Sequence, residues 1–191
     1  MYKDSYPPLE PECFYHIYNR GINGEDLFKE ECNYDYFKTL LVKHVSNEID
    51  ILAYCLMKNH FHFCIQLKKQ KVQQHFDVSK KFSNLFNAYT KTINKHYNRT
   101  GSLFETPFKR KKVSSDFYIT QLIYYVHANP QKHGFTTDFK MYLHSSYNDI
   151  LNRNNTIVSC TKITEWFGDI NVFINYHKNY QKEVMNLSSF D

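Results

Sequence analysis

Glycine and proline are scarce in this chain, at 5 of each in 191 residues. That excludes collagen-like, linker-rich and low-complexity designs, which need those residues in quantity. No run approaches the roughly 20 apolar residues of a membrane-spanning helix, so no membrane partner is expected. Residues 1–12 (MYKDSYPPLEPE) lack the apolar stretch of a signal peptide and read as a short Pro-containing lead-in. The five cysteines, Cys13, Cys32, Cys55, Cys64 and Cys160, are odd in number and form no CxxC pair. Neither a disulfide framework nor a thiolate zinc site is indicated, and a cytoplasmic protein with reduced thiols is the expectation.

What is present points to a folded domain that binds polyanions. A hydrophobic fraction of 42% against 23% charged residues is enough to fold, and 191 residues make one domain, with or without an appendage. The net charge of +5 is unevenly spread: Lys68 to Lys112 holds 12 Lys/Arg against only Asp77 and Glu105, a local net of +10. Such a stretch is either a solvated helix face or a surface for a polyanion. Tyr89, Tyr97, Phe104 and Phe108 are interleaved with the charges, as stacking residues for unpaired bases or as core.

Along the chain, FYHIYN (Phe14–Asn19) alternates like a strand, and GINGEDLF (Gly21–Phe28) is a Gly-punctuated loop. Asn33 to Val45 has helical spacing. Ile49 to Met57 and HFHFCIQL (His60–Leu67) are two strands around a Lys58-Asn59 turn. In the second strand His60, His62, Cys64 and Gln66 share one face, and Phe61, Phe63, Ile65 and Leu67 the other. Phe82, Leu85, Phe86, Tyr89, Ile93 and Tyr97 form the apolar stripe of a second helix, stopped at Thr100-Gly101. GSLFETPFKRKKV (Gly101–Val113) reads as an irregular basic segment. A helix follows from an N-cap at Ser115 or Asp116 and ends at Asn129-Pro130. The tail holds YLHSSY (Tyr142–Tyr147), a polar stretch at Asn152–Asn155 and a final helix around Val172–Val184. The order β-α-β-β-α-(β)-α predicts an α+β sandwich, a central antiparallel sheet with helices packed on one face.

Three groups of residues could carry chemistry. His60 and His62, at i and i+2 on a strand, point the same way and could ligate one metal ion, or be an ordinary surface pair. Tyr125 and Asn129, at i and i+4, share a helix face. A positioned phenol can attack phosphorus where a metal polarises the phosphate, and an amide oxygen is a hard donor. In the alternative, Tyr118, Leu122 and Tyr125 are simply a core stripe. Lys109-Arg110-Lys111-Lys112 could grip phosphates flanking a cleavage point or be solvated.

Together these segments resemble the HUH single-tyrosine transposases, specifically their REP-associated tyrosine transposase branch. NHFHFCIQL (Asn59–Leu67) is similar to the family's metal-binding Pro-Asn-His-hydrophobe-His strand, and YVHANP (Tyr125–Pro130) to its Tyr-x-x-x-Asn-Pro segment. FYHIYNRG (Phe14–Gly21), GSLFETPFK (Gly101–Lys109) and YLHSSY resemble its first strand, its Gly-x-Leu-Phe-Gln-x-x-Phe-Lys segment and its closing motif. The five matches run in the family's order over roughly residues 13–147, leaving 148–191 as a C-terminal extension of uncertain role. Lys58, Glu105 and His144 stand where Pro, Gln and Trp are common in the family.

The resemblance implies a ferredoxin-like fold and a DNA single-strand endonuclease and strand transferase. It implies His60, His62 and Asn129 as ligands of Mg²⁺ or Mn²⁺, although imidazoles alone would favour zinc, copper or nickel. Three protein ligands leave room for phosphate oxygens and water, as Mg²⁺ requires. Tyr125 becomes the nucleophile, forming a 5′-phosphotyrosine, with Tyr124 and Tyr118 the next candidates. Arg20 and Lys109 to Lys112 become DNA contacts. The partner is single-stranded or hairpin DNA, and a homodimer is open because related small transposases exchange the tyrosine helix. Two other readings compete: a retired transposase that only binds DNA hairpins, and an unrelated metallohydrolase whose site a carboxylate or a third histidine completes, with His127 and His133 nearby in sequence.

Overall fold

The structure, a computed structural model, describes residues 8–69, 77–153 and 157–183, with side chains to residue 180. Lys71 of the basic stretch, most of the lead-in, residues 154 and 155 of the polar stretch and Val184 lie outside the described residues. The core unit is β1 (Phe14–Arg20), α1 (Glu31–Val45), β2 (Ile49–Met57), β3 (His60–Leu67), α2 (Val78–His96) and β4 (Lys109–Val113). The strands lie in the order β2-β3-β1-β4, and every neighbouring pair is antiparallel. That connectivity is the ferredoxin-like split βαβ arrangement expected from the sequence.

Alternation on β3 decides how the layers stack. Phe61 and Phe63 are fully buried and meet α1 and α2: the Phe61 ring lies 5.4 Å from Phe37 and 5.6 Å from Phe86. Each such side chain contributes about 1.5–3 kcal/mol of burial. Reciprocal hydrogen bonds between Glu30 and Asn33 cap α1, and the Asp77 carboxylate accepts from Lys80 N at 3.0 Å to cap α2. Tyr89, Phe104 and Phe108 belong to this core, so of the four interleaved aromatics only Tyr97 is partly exposed. At the end of β1, Gly21 is a steric requirement, because a Cβ there would sit 2.0 Å from the Glu25 carbonyl oxygen.

Three features differ from the sequence expectation. Lys109–Val113 is a regular edge strand paired with Tyr18 back to Phe14. Its KRKK run has no apolar alternation to announce it, and lysines are typical of an exposed sheet edge. Second, α3 (Asp116–Lys132) continues through Pro130 for two more residues. The residue-before-proline bias is overcome because the Asn129 and Pro130 carbonyls accept from His133 N (2.9 Å) and Phe135 N (2.8 Å). Third, helices occupy both faces. α1 and α2 take the phenylalanine face, while α3 adds a layer over the imidazole face, with Tyr125 against His62.

The C-terminal elements brace α3 and β2. They are α4 (Ser146–Asn152), α5 (Cys160–Phe167) and α6 (Ile170–Glu183). Leu56 N donates to the His144 carbonyl at 2.8 Å and Ser159 N to Ile51 at 2.9 Å, so segments flanking α4 and α5 cover the outer edge of β2. Phe173 of α6 is fully buried against Phe167, Tyr147, His127 and His177.

Candidate functional site

The register of the sheet assembles the site. Tyr18 of β1 stands opposite His62, Arg20 opposite His60 and His16 opposite Cys64. On the other side of β1, Lys109 is opposite Tyr18 and Lys111 opposite His16. Side chains of period 2 therefore put His60, His62, His16, Tyr18, Arg20, Lys109 and Lys111 on one face. The rings stack within β1, with His16 4.5 Å from Tyr18, and across to β3, with His16 5.1 Å and Tyr18 5.7 Å from His62. The His60 and His62 centroids are 5.4 Å apart at 84°. Beside them opens a cleft of about 350 Å³, lined by both histidines, His133, Tyr18, Arg20, Glu105 and Lys109.

α3 delivers Tyr125 to this face from the same chain. The Tyr125 ring meets the edges of His62 at 5.7 Å and His16 at 5.8 Å, and Lys132 Nζ lies 5.2 Å from its centroid. Tyr124 turns the other way, toward Phe139, His177 and Tyr180, and burial pushes its phenol up to about 12. Tyr118 is half exposed near the start of α3. Tyr125 is itself 4% exposed. One turn beyond it, Asn129 is fully buried; its Nδ2 donates to the Tyr125 carbonyl at 2.7 Å, and its Oδ1 has no hydrogen-bond partner among the described residues.

The four cations of β4 divide between faces. Lys109 and Lys111 place Nζ 5.8 Å and 6.0 Å from the Tyr18 ring. Arg110 instead donates to Ser79 Oγ on α2 at 2.6 Å, and Lys112 pairs with Glu10 at 2.6 Å. Arg20 is well exposed and pairs with Glu105 at 2.5 Å. The other unusual residues are also engaged: Lys58 pairs with Asp26 at 3.0 Å, and His144 stacks on Tyr34 at 3.5 Å, where its ring still supplies an aromatic face.

Electrostatics favour a neutral His62. Burial, then the neighbouring His16, His60, His133 and Lys132, hold its pKa well below the usual imidazole value. A neutral ring keeps a lone pair for a cation. Among the described residues no three His, Cys, Asp or Glu side chains cluster as a metal site, so any third protein donor beside His60 and His62 would be of another type. The buried amide oxygen of Asn129, lacking a partner, suits that role with a hard divalent ion. His127 does not: its Nδ1 is 2.9 Å from His177 Nε2 and its Nε2 2.8 Å from Ser146 Oγ, so both ring nitrogens are committed to a buried network.

Four neighbours complete the site: Lys132 carried no sequence signal of its own, His16 and Asn59 entered only as members of matched motifs, and His133 only as a nearby candidate for a third ligand. His16 and Asn59 touch the imidazole pair, Lys132 touches Tyr125, and the His133 ring lies 4.7 Å from His60. His16 sits in an aromatic strand whose register is unknown until the sheet forms. Lys132 and His133 lie past the proline at which the helix was expected to stop.

The IS200-like transposase family matches residues 10–129. Among solved structures, that of a REP-associated tyrosine transposase bound to a REP hairpin superposes with a TM-score of 0.64 at 14% identity, covering 86% of this chain and 94% of that one. No curated protein matches the chain in sequence. Among the described residues no helix is long and apolar enough to cross a membrane.

Proposed function

The chain belongs to the IS200-like transposase family, and from that premise we propose that it is a metal-dependent single-strand DNA endonuclease and strand transferase of the REP-associated branch, acting beside a DNA hairpin. The observation that carries the proposal is the meeting of Tyr125 with His62 within one chain, at 5.7 Å between ring centroids. The fold shared with a transposase seen on a hairpin adds support for the partner.

In this reading His60, His62 and Asn129 hold Mg²⁺ or Mn²⁺, which when bound supplies Lewis-acid polarisation of the scissile phosphate. Tyr125 Oη gives up its proton and bonds to phosphorus; the bond from phosphorus to the 3′ oxygen breaks, and that oxygen leaves as a 3′-OH. Lys132, whose Nζ lies 5.2 Å from the centre of the Tyr125 ring, sets a cation beside the attacking phenol and the phosphate it meets. Lys109 and Lys111, on the same face, hold flanking phosphates, and Tyr18 offers a ring for an unpaired base. Attack by another 3′-OH on the phosphotyrosine reverses the step. One phosphoester replaces another throughout, so no nucleotide cofactor is required. Arg110 and Lys112, engaged with Ser79 and Glu10, contribute less to DNA than their neighbours.

Incubation with single-stranded hairpin DNA and Mn²⁺ should give a protein–DNA adduct that survives denaturation, and Tyr125→Phe should abolish it while leaving hairpin binding intact. An adduct formed by Tyr125→Phe would show that the nucleophile is another residue. The burial of Tyr125 favours a second reading, in which the protein binds hairpins without cutting them. Binding with no adduct in the wild type would establish that one.

A further inference from the structure

We propose that His16 and Asn59 are positioning residues that set the tautomer and the angle of the two imidazoles, each through Nδ1, so that both rings present Nε2 to the cation. The proposal rests on the metal reading above and deepens it. His60 Nδ1 lies 2.7 Å from Asn59 Oδ1. An amide oxygen only accepts, so the proton of a neutral His60 sits on Nδ1 and its lone pair on Nε2. His62 Nδ1 lies 2.8 Å from His16 Nε2.

That second contact joins two nitrogens, one of which must donate. If His16 donates, His62 carries its proton on Nε2 and has no lone pair there. If His62 donates, Nε2 is a ligand and His16 carries its own proton on Nδ1. Cation binding at His62 Nε2 therefore selects the second order, and His16 is the acceptor that makes it available. The geometry is rigid on both sides. His16 and His62 are 1% and 4% exposed, they stack 19° from parallel, and each is anchored on an adjacent, paired strand. Asn59 is held in the turn between β2 and β3, where its carbonyl accepts from Gly21 N at 2.8 Å. Outer partners of metal-bound histidines fix ring orientation in this way, and their loss typically costs 10–100-fold in metal affinity.

Binding of Mn²⁺ alone, followed by the loss of the free-ion electron paramagnetic resonance signal, tests the idea without DNA. Wild type should bind one ion. His16→Leu and Asn59→Leu should each weaken binding about 10–100-fold, whereas His16→Gln and Asn59→Asp, which keep an acceptor, should restore most of it. Thermal melting of each variant checks its fold. Long-range ¹H–¹⁵N correlation of wild type saturated with Mg²⁺ should show both His60 and His62 protonated at Nδ1, a readout that needs no variant to fold. Wild-type binding with unchanged affinity in both leucine variants would overturn the inference alone, as would an Nε2–H signal from either ring. Failure of wild type to bind Mn²⁺ would overturn the metal reading and this inference with it.

Discussion

Acid should destabilise this protein through an imidazole on the opposite side of α3 from the residues proposed to hold the metal. His177 of α6 is fully buried, and desolvation pushes its pKa down to about 3, against 6.5 in an unfolded chain. Its Nδ1 donates to the Phe173 carbonyl at 2.8 Å, and its Nε2 faces His127 at 2.9 Å. Below pH 6.5 the unfolded state takes up a proton that the native state refuses. The unfolded state then binds more protons, so stability falls as the pH falls. The slope is about 1.4 kcal/mol per pH unit for this one group, running from near pH 6.5 down to near pH 3. Between pH 7 and pH 5 that amounts to roughly 2 kcal/mol, or about 4–8 °C in Tm for a chain of this size. Other buried imidazoles add to the wild-type drop, so the decisive comparison is with His177→Gln. Melting curves at pH 7 and pH 5 should show the acid-induced fall in Tm shrinking by about 4–8 °C in that variant. An equal fall in both proteins would refute the assignment of His177 as a buried neutral group.

Three further outcomes are expected. Phe173→Ala, which empties a fully buried aromatic position between α3, α5 and α6, should cost about 3–5 kcal/mol, read as a lower urea midpoint; a change under about 1 kcal/mol would mean that α6 is not seated as described. Lys109→Ala and Lys111→Ala should each flatten the dependence of log affinity for single-stranded DNA on log salt by about 0.7, while Lys112→Ala should leave the slope nearly unchanged; equal effects at all three would contradict the division of faces. Lys132→Met should slow adduct formation by about tenfold, the effect of about 1.4 kcal/mol on a barrier, and an unchanged rate would remove Lys132 from the site.

How far the fold could be read in advance depended on periodicity. Phe61, Phe63, Ile65 and Leu67 alternate, and Phe82, Leu85, Phe86, Tyr89 and Ile93 step by three and four. Both patterns are local consequences of side-chain direction, so β3 and α2 could be placed and oriented from one dimension. β4 could not. A run of four cations has no face until a neighbouring strand assigns one, and pairing with β1 alone sends Lys109 and Lys111 to the imidazoles and Arg110 toward α2.

Residue types and their spacing define the chemical inventory: two imidazoles on one side of a strand, a phenol and an amide one helical turn apart, and a basic middle. The order of motifs that marks the family is equally local. Which of these groups meet is set by packing. Whether Tyr125 or Tyr124 faces His62 depends on how α3 rotates over the sheet, and α6 fixes that by drawing Tyr124 toward His177 and Tyr180. Whether His16 touches His62 depends on a strand register that brings together residues 46 positions apart. Such contacts come from packing between distant segments, and local periodicity holds no record of them.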